Sequence, residues 1–248
     1  GDSKSAAGPS NYRDQVQSDI GAAMDILQRE HGIDRFVIAG ICSGAVNAYR
    51  IACVDERVVG AFMYDKFYYR SRWTTPVYLA KRARVVGPAR AVVAALRALG
   101  RRLRPKAQGE EASTAAFANL DAENPPKDEF VADVNKLVGR GVRLEFVYGG
   151  SFPAYYSYAE QFRDAFAGEP FVAKVEYRHL PMLDHMLSSL AAQRTLQSAV
   201  LEWAAGFARR RAAGRGRTSS RGCRARRAGR PSRRRRWRPA APSASALP

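Results

Sequence analysis

Cysteine is scarce in this chain, with three in 248 residues, at positions 42, 53 and 223. They show neither metal-ligand spacing nor the even count of a disulfide framework, so a reducing, cytoplasmic setting is expected. No run of eighteen or more apolar residues occurs, so no membrane-spanning helix is expected, and the first residues do not resemble a signal peptide. Histidine is equally rare: His31, His179 and His185 are the three available. No pattern of residues points to a metal or an organic cofactor, and neither is expected. One stretch lacks carboxylates altogether. Residues 209–248 hold fifteen arginines and no Asp, Glu or Lys, so +15 of the net charge of +18 belongs to that stretch, and 1–208 carries only +3, from 26 basic against 23 acidic residues.

Arg, Ala, Gly, Pro and Ser with almost nothing aliphatic cannot bury enough surface to offset ordering entropy, so 209–248 is expected to be a disordered basic tail. Three readings of it stay open. It is a contact for nucleic acid or another anionic surface through 233–238, where Trp237 sits among arginines; a solvated tail without a role; or an out-of-frame translation of a G+C-rich gene end. Nothing in 1–208 looks built for nucleic acid, so such binding would be non-specific and confined to the tail.

Residues 1–208 are long enough for one α/β domain. Apolar residues at Val16, Ile20, Ala23, Met24 and Leu27 predict a helix over 12–30, ended by His31-Gly32. Strands are predicted at 35–40 and 58–64 around a helix at 43–54, then at 144–148 and 172–180, with helices at 130–138, 158–166 and 186–207. Strand, helix, strand with short connections argues a mostly parallel sheet flanked by helices. Residues 66–125 break this rhythm: an aromatic and basic stretch, a helix over 78–104 interrupted at Gly87-Pro88, then a loop stopped by Asn124-Pro125-Pro126. The insertion reads as a helical lid over a site or as a plain surface excursion.

The chemistry sits at 36–54. Phe36-Val37-Ile38-Ala39 is the apolar run of a buried strand, and Gly40-Ile41-Cys42-Ser43-Gly44 places a nucleophile between two glycines before a helix. Strand, sharp turn and helix are the setting a nucleophile elbow needs. The central residue takes strained backbone angles there, and a side chain at either flanking position is expected to collide with strand or helix. Cys42 would then lie at the carboxyl edge of the sheet, at a helix amino terminus whose dipole favours a thiolate. An ordinary strand-to-helix turn with a buried cysteine is the plainer alternative, and a nucleophile at Ser43 would spoil the glycine spacing.

The elbow, the strand–helix alternation and the late histidine together resemble the α/β-hydrolase superfamily. The likeness is closer to bacterial hydrolases related to the serine aminopeptidase group, some of which carry a Gly-x-Cys-Ser-Gly elbow. It covers residues 1 to about 207. Gly1-Asp2-Ser3 looks like the remnant of a loop after the fourth strand, so the chain is expected to be a partial α/β-hydrolase fold without its first strands. The resemblance implies hydrolysis of an ester, thioester or related acyl bond in a small-molecule substrate. Cys42 would be the nucleophile, the backbone N–H of Ser43 an oxyanion donor, and His185, in the loop after the last strand, the base. His31 reads as a helix cap and His179 as structural. The usual acid position, the loop after 144–148, holds no carboxylate over 149–159. Asp65, at the end of the strand after the elbow, is the alternative acid or an ordinary turn residue; Asp184 adjoins the base in sequence. Tyr155, Tyr156 and Tyr158 line a pocket or form a packed loop. A truncated or non-catalytic hydrolase-like protein is the competing expectation.

Overall fold

The computed structural model describes residues 12–87, 93 and 124–218. In chain order the described elements are α1 (Tyr12–His31), β1 (Phe36–Ile41), α2 (Ser43–Val54), β2 (Val58–Tyr64), α3 (Thr74–Val86), α4 (Lys127–Gly139), β3 (Arg143–Tyr148), α5 (Gln161–Ala165), a 3-10 turn (Pro170–Ala173), β4 (Glu176–His179) and α6 (Leu190–Thr218). The four strands form one sheet in the order β1-β2-β3-β4, and every neighbouring pair is parallel. The architecture is α/β, a parallel sheet flanked by helices.

The strand sequences follow from this layering. β2 (Val-Val-Gly-Ala-Phe-Met-Tyr) and β3 (Arg-Leu-Glu-Phe-Val-Tyr) are buried almost throughout, because a central parallel strand is covered on both faces. Alternate residues feed different layers. Phe146 joins Phe67, Phe130 and Phe162 in an aromatic cluster beneath α2 and α4, with ring centroids 5.0–6.2 Å apart. On the opposite face Phe62 meets the edge of Trp203 from α6 at 5.7 Å. Complete burial of each such ring stabilises the fold by roughly 1.5–3 kcal/mol.

Register positions the site. Ile41 pairs with Tyr64, Tyr64 with Val147, and Tyr148 with His179. The residues that follow, Cys42, Asp65, Gly149 and Leu180, therefore leave the sheet side by side along one carboxyl edge.

Several boundaries differ from the sequence reading. The expected strand over 172–180 is only Glu176–His179, since Pro170 opens a 3-10 turn that buries Phe171. The helix expected at 158–166 shrinks to Gln161–Ala165, because Ser157 and Tyr158 spend their polar groups on Pro153, Thr74, Ser71 and Asp164. The first helix of the 66–125 insertion runs Thr74–Val86 and stops where Gly87 adopts φ 87°. The rest of that insertion, apart from Val93 and 124–125, lies outside the described residues, as do Gly1-Asp2-Ser3 and 219–248 with Cys223 and Trp237.

The last helix reaches Thr218, so residues 209–218, expected to be disordered, are helical. The compact units divide as Gly1–Ala204 and Ala205–Pro248, four residues before the expected boundary. Among the described residues no helix is long and apolar enough to cross a membrane.

Candidate active site

Cys42 stands between β1 and α2 with φ 53° and ψ −117°. Its N–H still donates to the Tyr64 carbonyl of the neighbouring strand at 3.0 Å, while its own carbonyl accepts from Ala45 and Val46 in the first turn of α2. One residue thus ends the ladder and starts the helix, which forces the sharp bend. Gly40 is indispensable to it: a Cβ there would lie 2.1 Å from the Gly44 carbonyl oxygen. Gly44 differs from the sequence expectation. A Cβ on it meets nothing within 4 Å, so of the two flanking glycines only the first is demanded by sterics. Cys42 is partly exposed, and Ser43 and Gly44 open the helix, where N–H groups lack intrahelical acceptors.

Asp65 leaves β2 directly beside Cys42. Its backbone is left-handed, at φ 60°, and its side chain is buried. Three hydrogen bonds hold it: its N–H donates to the Val147 carbonyl at 2.8 Å, Oδ1 accepts from the Gly149 N–H at 2.9 Å, and Oδ2 lies 2.6 Å from Nδ1 of His185. In the tautomer that makes this contact with a carboxylate, Nδ1 is the donor, and a neutral ring then has its lone pair on Nε2. The structure therefore brings together Asp65 and His185, 120 residues apart in sequence. The edge of Phe152 packs on the imidazole at 5.1 Å.

The turn after β3, where the sequence offered no acid, has a different task. Gly149 and Gly150 admit the His185 loop at very short range: Cβ atoms would fall 2.6 Å from the Tyr64 hydroxyl and 2.8 Å from the Leu183 carbonyl at 149, and 2.1 Å from the Pro181 carbonyl at 150. No carboxylate-bearing residue fits at 149 or 150. The Gly150 N–H donates to the Leu183 carbonyl at 2.7 Å, the Ser151 hydroxyl accepts the His185 N–H at 2.7 Å, and the Tyr64 hydroxyl donates to the Asp184 carbonyl at 2.9 Å. Sequence reasoning missed Tyr64 and Ser151. The consecutive glycines were the available signal, since adjacent glycines mark close backbone approach.

Strain concentrates here. Among the described residues the non-glycine positions with left-handed backbone are Cys42, Asp65, Phe67 and Leu187. Each is the bend itself, the carboxylate, its near neighbour, or a member of the histidine loop. Such conformations cost of order 1–3 kcal/mol each and persist only where surrounding structure dictates them.

The other candidates fall elsewhere. His31 ends α1 and is exposed. His179 ends β4 with its ring against Tyr156, and burial holds its pKa below the usual histidine value. The Asp184 carboxylate accepts from the Ser188 N–H and hydroxyl, which lower its pKa. Tyr156 stacks on Tyr148 at 3.8 Å, and Tyr158 bonds Ser71 and Asp164, so this is a packed loop whose hydroxyls find protein partners. Cys53 lines a separate cavity of about 380 Å³ between α2 and α4, where burial pushes its thiol up to about 12. Among the described residues no cluster of His, Cys, Asp and Glu could hold a metal ion.

No family model matches the chain, and no curated protein matches it. Solved structures do. An esterase of Pyrococcus furiosus aligns at 11% identity and TM-score 0.42, over 82% of this chain and 65% of that one. A serine hydrolase of the polyaromatic-hydrocarbon-degrading bacterium Cycloclasticus zankles aligns at 12% identity and TM-score 0.43, over 84% and 77%. A structure from work on carboxylesterases of Nitrososphaera gargenis aligns at 14% identity and TM-score 0.37, over 78% and 73%. The chain spans 65% of the length of the Pyrococcus esterase. Likeness at these levels assigns this chain neither an activity nor a substrate. Its α/β class stands on its own sheet of four parallel strands.

Proposed function

We propose that this chain has an α/β-hydrolase-type site, of the serine-aminopeptidase-like kind, that cleaves an ester, thioester or related acyl bond of a small molecule. Cys42 is the nucleophile, His185 the acid–base group, Asp65 its orienting acid and the Ser43 N–H an oxyanion donor. One observation carries the reading: the bend that presents Cys42 lies next to the strand end whose Asp65 binds His185. Neighbouring strands run about 4.8 Å apart, so the backbones of Cys42 and Asp65 are neighbours on the sheet edge, which supports a thiol and an imidazole working together there.

Nε2 of His185 takes the proton of the Cys42 thiol as sulfur attacks the acyl carbon. The carbonyl π electrons move onto oxygen, and the Ser43 N–H stabilises the resulting oxyanion. As the carbonyl re-forms, the bond to the leaving alkoxide or thiolate breaks, and that group takes the proton from Nε2. Water then attacks the Cys42 thioester while giving a proton to Nε2; release of the acid returns that proton to sulfur. Asp65 keeps Nδ1 protonated throughout, so that Nε2 is the atom that accepts and donates.

The test is incubation with p-nitrophenyl acetate and, separately, iodoacetamide. A burst of nitrophenolate and alkylation at Cys42 are expected, both absent in Cys42→Ala. An unreactive Cys42 together with no turnover would remove the proposal and leave a non-catalytic protein.

A further inference from the structure

The contact between Nδ1 and Asp65 fixes one atom of the imidazole, but not the direction from which the ring enters the site. That direction is set by the backbone of residue 185, and here the structure holds an unusual pair of bonds. The Tyr64 hydroxyl donates to the Asp184 carbonyl at 2.9 Å, and the Ser151 hydroxyl accepts the His185 N–H at 2.7 Å. Carbonyl and N–H belong to the same peptide unit, the one joining residues 184 and 185. In a trans peptide they point in opposite directions from one rigid plane. Gripped at both ends, that plane cannot rotate, so ψ of Asp184 and φ of His185 are fixed together, and with them the Cα–Cβ bond of His185.

We propose that Ser151 and Tyr64 are positioning residues that aim the His185 imidazole by clamping this peptide plane. The inference rests on the acyl-transfer reading of the site for its catalytic consequence, though not for its geometry.

Other features fit a clamp. Tyr64 is fully buried, and burial first, then the carboxylates of Asp65 and Asp184, raise its pKa, so its hydroxyl stays a neutral donor. The same strand end thus supplies the acceptor for Nδ1 and the donor for the peptide. Glycine at 149 leaves the hydroxyl its path, since a Cβ would sit 2.6 Å from it. The Asp184 carbonyl also accepts the Leu187 N–H at 3.0 Å, closing the tight turn in which Leu187 is left-handed. Ser151, by contrast, is exposed. An exposed hydrogen bond of this kind adds little to stability, so its removal separates aiming from folding.

The experiment compares Ser151→Ala, Tyr64→Phe, the double variant and the rescue Ser151→Thr with the unaltered chain. It reads kcat and KM with p-nitrophenyl acetate, thermal stability, and the downfield proton NMR signal of the His185 Nδ1–H bonded to Asp65. Expected is a fall in kcat of about tenfold for either single variant with KM within about twofold, since small misplacements of a reacting group cost up to about a hundredfold. The Nδ1–H signal should broaden or vanish in both, and Ser151→Thr should restore it. Freeing either end frees the plane, so the double variant should lose little more than a single one. Unchanged kcat and an unchanged Nδ1–H signal in Ser151→Ala would overturn the proposal, as would a rise in KM at constant kcat. If the unaltered chain turns over no ester but its Nδ1–H signal is lost in Ser151→Ala and restored in Ser151→Thr, the clamp stands and the acyl-transfer reading falls.

Discussion

Replacing Gly40 with alanine should damage this fold far more than the same change at Gly44, although the two glycines frame Cys42 symmetrically in sequence. At position 40 the added methyl lies 2.1 Å from the Gly44 carbonyl oxygen, 2.2 Å from its carbon and 2.6 Å from the Ala45 nitrogen, all of them backbone atoms. The first contact is 0.9 Å inside the 3.0 Å below which real Cβ contacts essentially never fall, so the amino end of α2 has to move away from β1 by nearly that much. Overpacking a tight interior costs about 1–3 kcal/mol, and a backbone obstacle belongs at the upper end. About 3 kcal/mol corresponds to a fall in Tm of roughly 6–12 °C in a chain of this size. At position 44 the methyl meets open space within a helix, where alanine is better than glycine by about 0.5–1 kcal/mol, so Gly44→Ala should raise Tm by a few degrees. Thermal melts followed by circular dichroism measure both, and iodoacetamide labelling of Cys42 reports whether the bend survives. A Gly40→Ala chain as stable as the parent, or a Gly44→Ala chain the more damaged, would refute this account of the bend.

Asp65→Asn keeps the shape of the side chain but removes the carboxylate that fixes the proton on Nδ1 of His185; kcat for p-nitrophenyl acetate should fall by about a hundredfold or more, in line with the loss of a general base. Arg178→Met strands Glu145, which is 1% exposed, has Arg178 as its ionic partner and is already held above the usual carboxylate range by burial. Urea melts should show a loss of about 3 kcal/mol at pH 8. That deficit should shrink as the pH falls, because a carboxylate with a raised folded pKa is taken up as neutral acid sooner in the native state than in the unfolded one. His179 has the opposite sign: burial, then Lys81, depress its folded pKa against weaker opposition from Glu160 and Asp65, so the unfolded chain takes the proton first. Stability should be intact above the ordinary histidine pKa, near 6.5, and decline as the pH drops through it; His179→Gln should flatten that decline in melts at pH 7.5 and 5.5.

Local sequence carried much of the architecture. Phe36 to Gly44 announced a strand, a forced bend and a helix within nine residues, because each depends on neighbours in the chain: apolar side chains for a strand, glycine for the tight approach, no breaker in α2. The expected burial of that strand did not follow, since β1 ends the strand order and leaves Val37, Ala39 and Ile41 exposed. The sheet strands 58–64 and 144–148 were legible from their own residues too, as short, mainly apolar runs, the second interrupted by Glu145. Where a boundary depended on distant packing, the sequence misled. Val172 has β-branched character, yet Pro170 and the burial of Phe171 turn that stretch into a 3-10 turn. The helix over 190–218 continues past Phe207 through arginine and alanine, both strong helix formers whose local propensity outran the compositional signal for disorder.

By itself the sequence determined that a cysteine would stand at a strand-to-helix bend, since residues within four positions of each other dictate that geometry. It left two acids open. Only the tertiary structure brings one of them to the imidazole: parallel register sets Asp65 beside Cys42, and the glycine turn after β3 lets the loop carrying His185 descend until Nδ1 meets Oδ2. A contact across 120 residues is fixed by how strands align and loops pack, and no local preference encodes it.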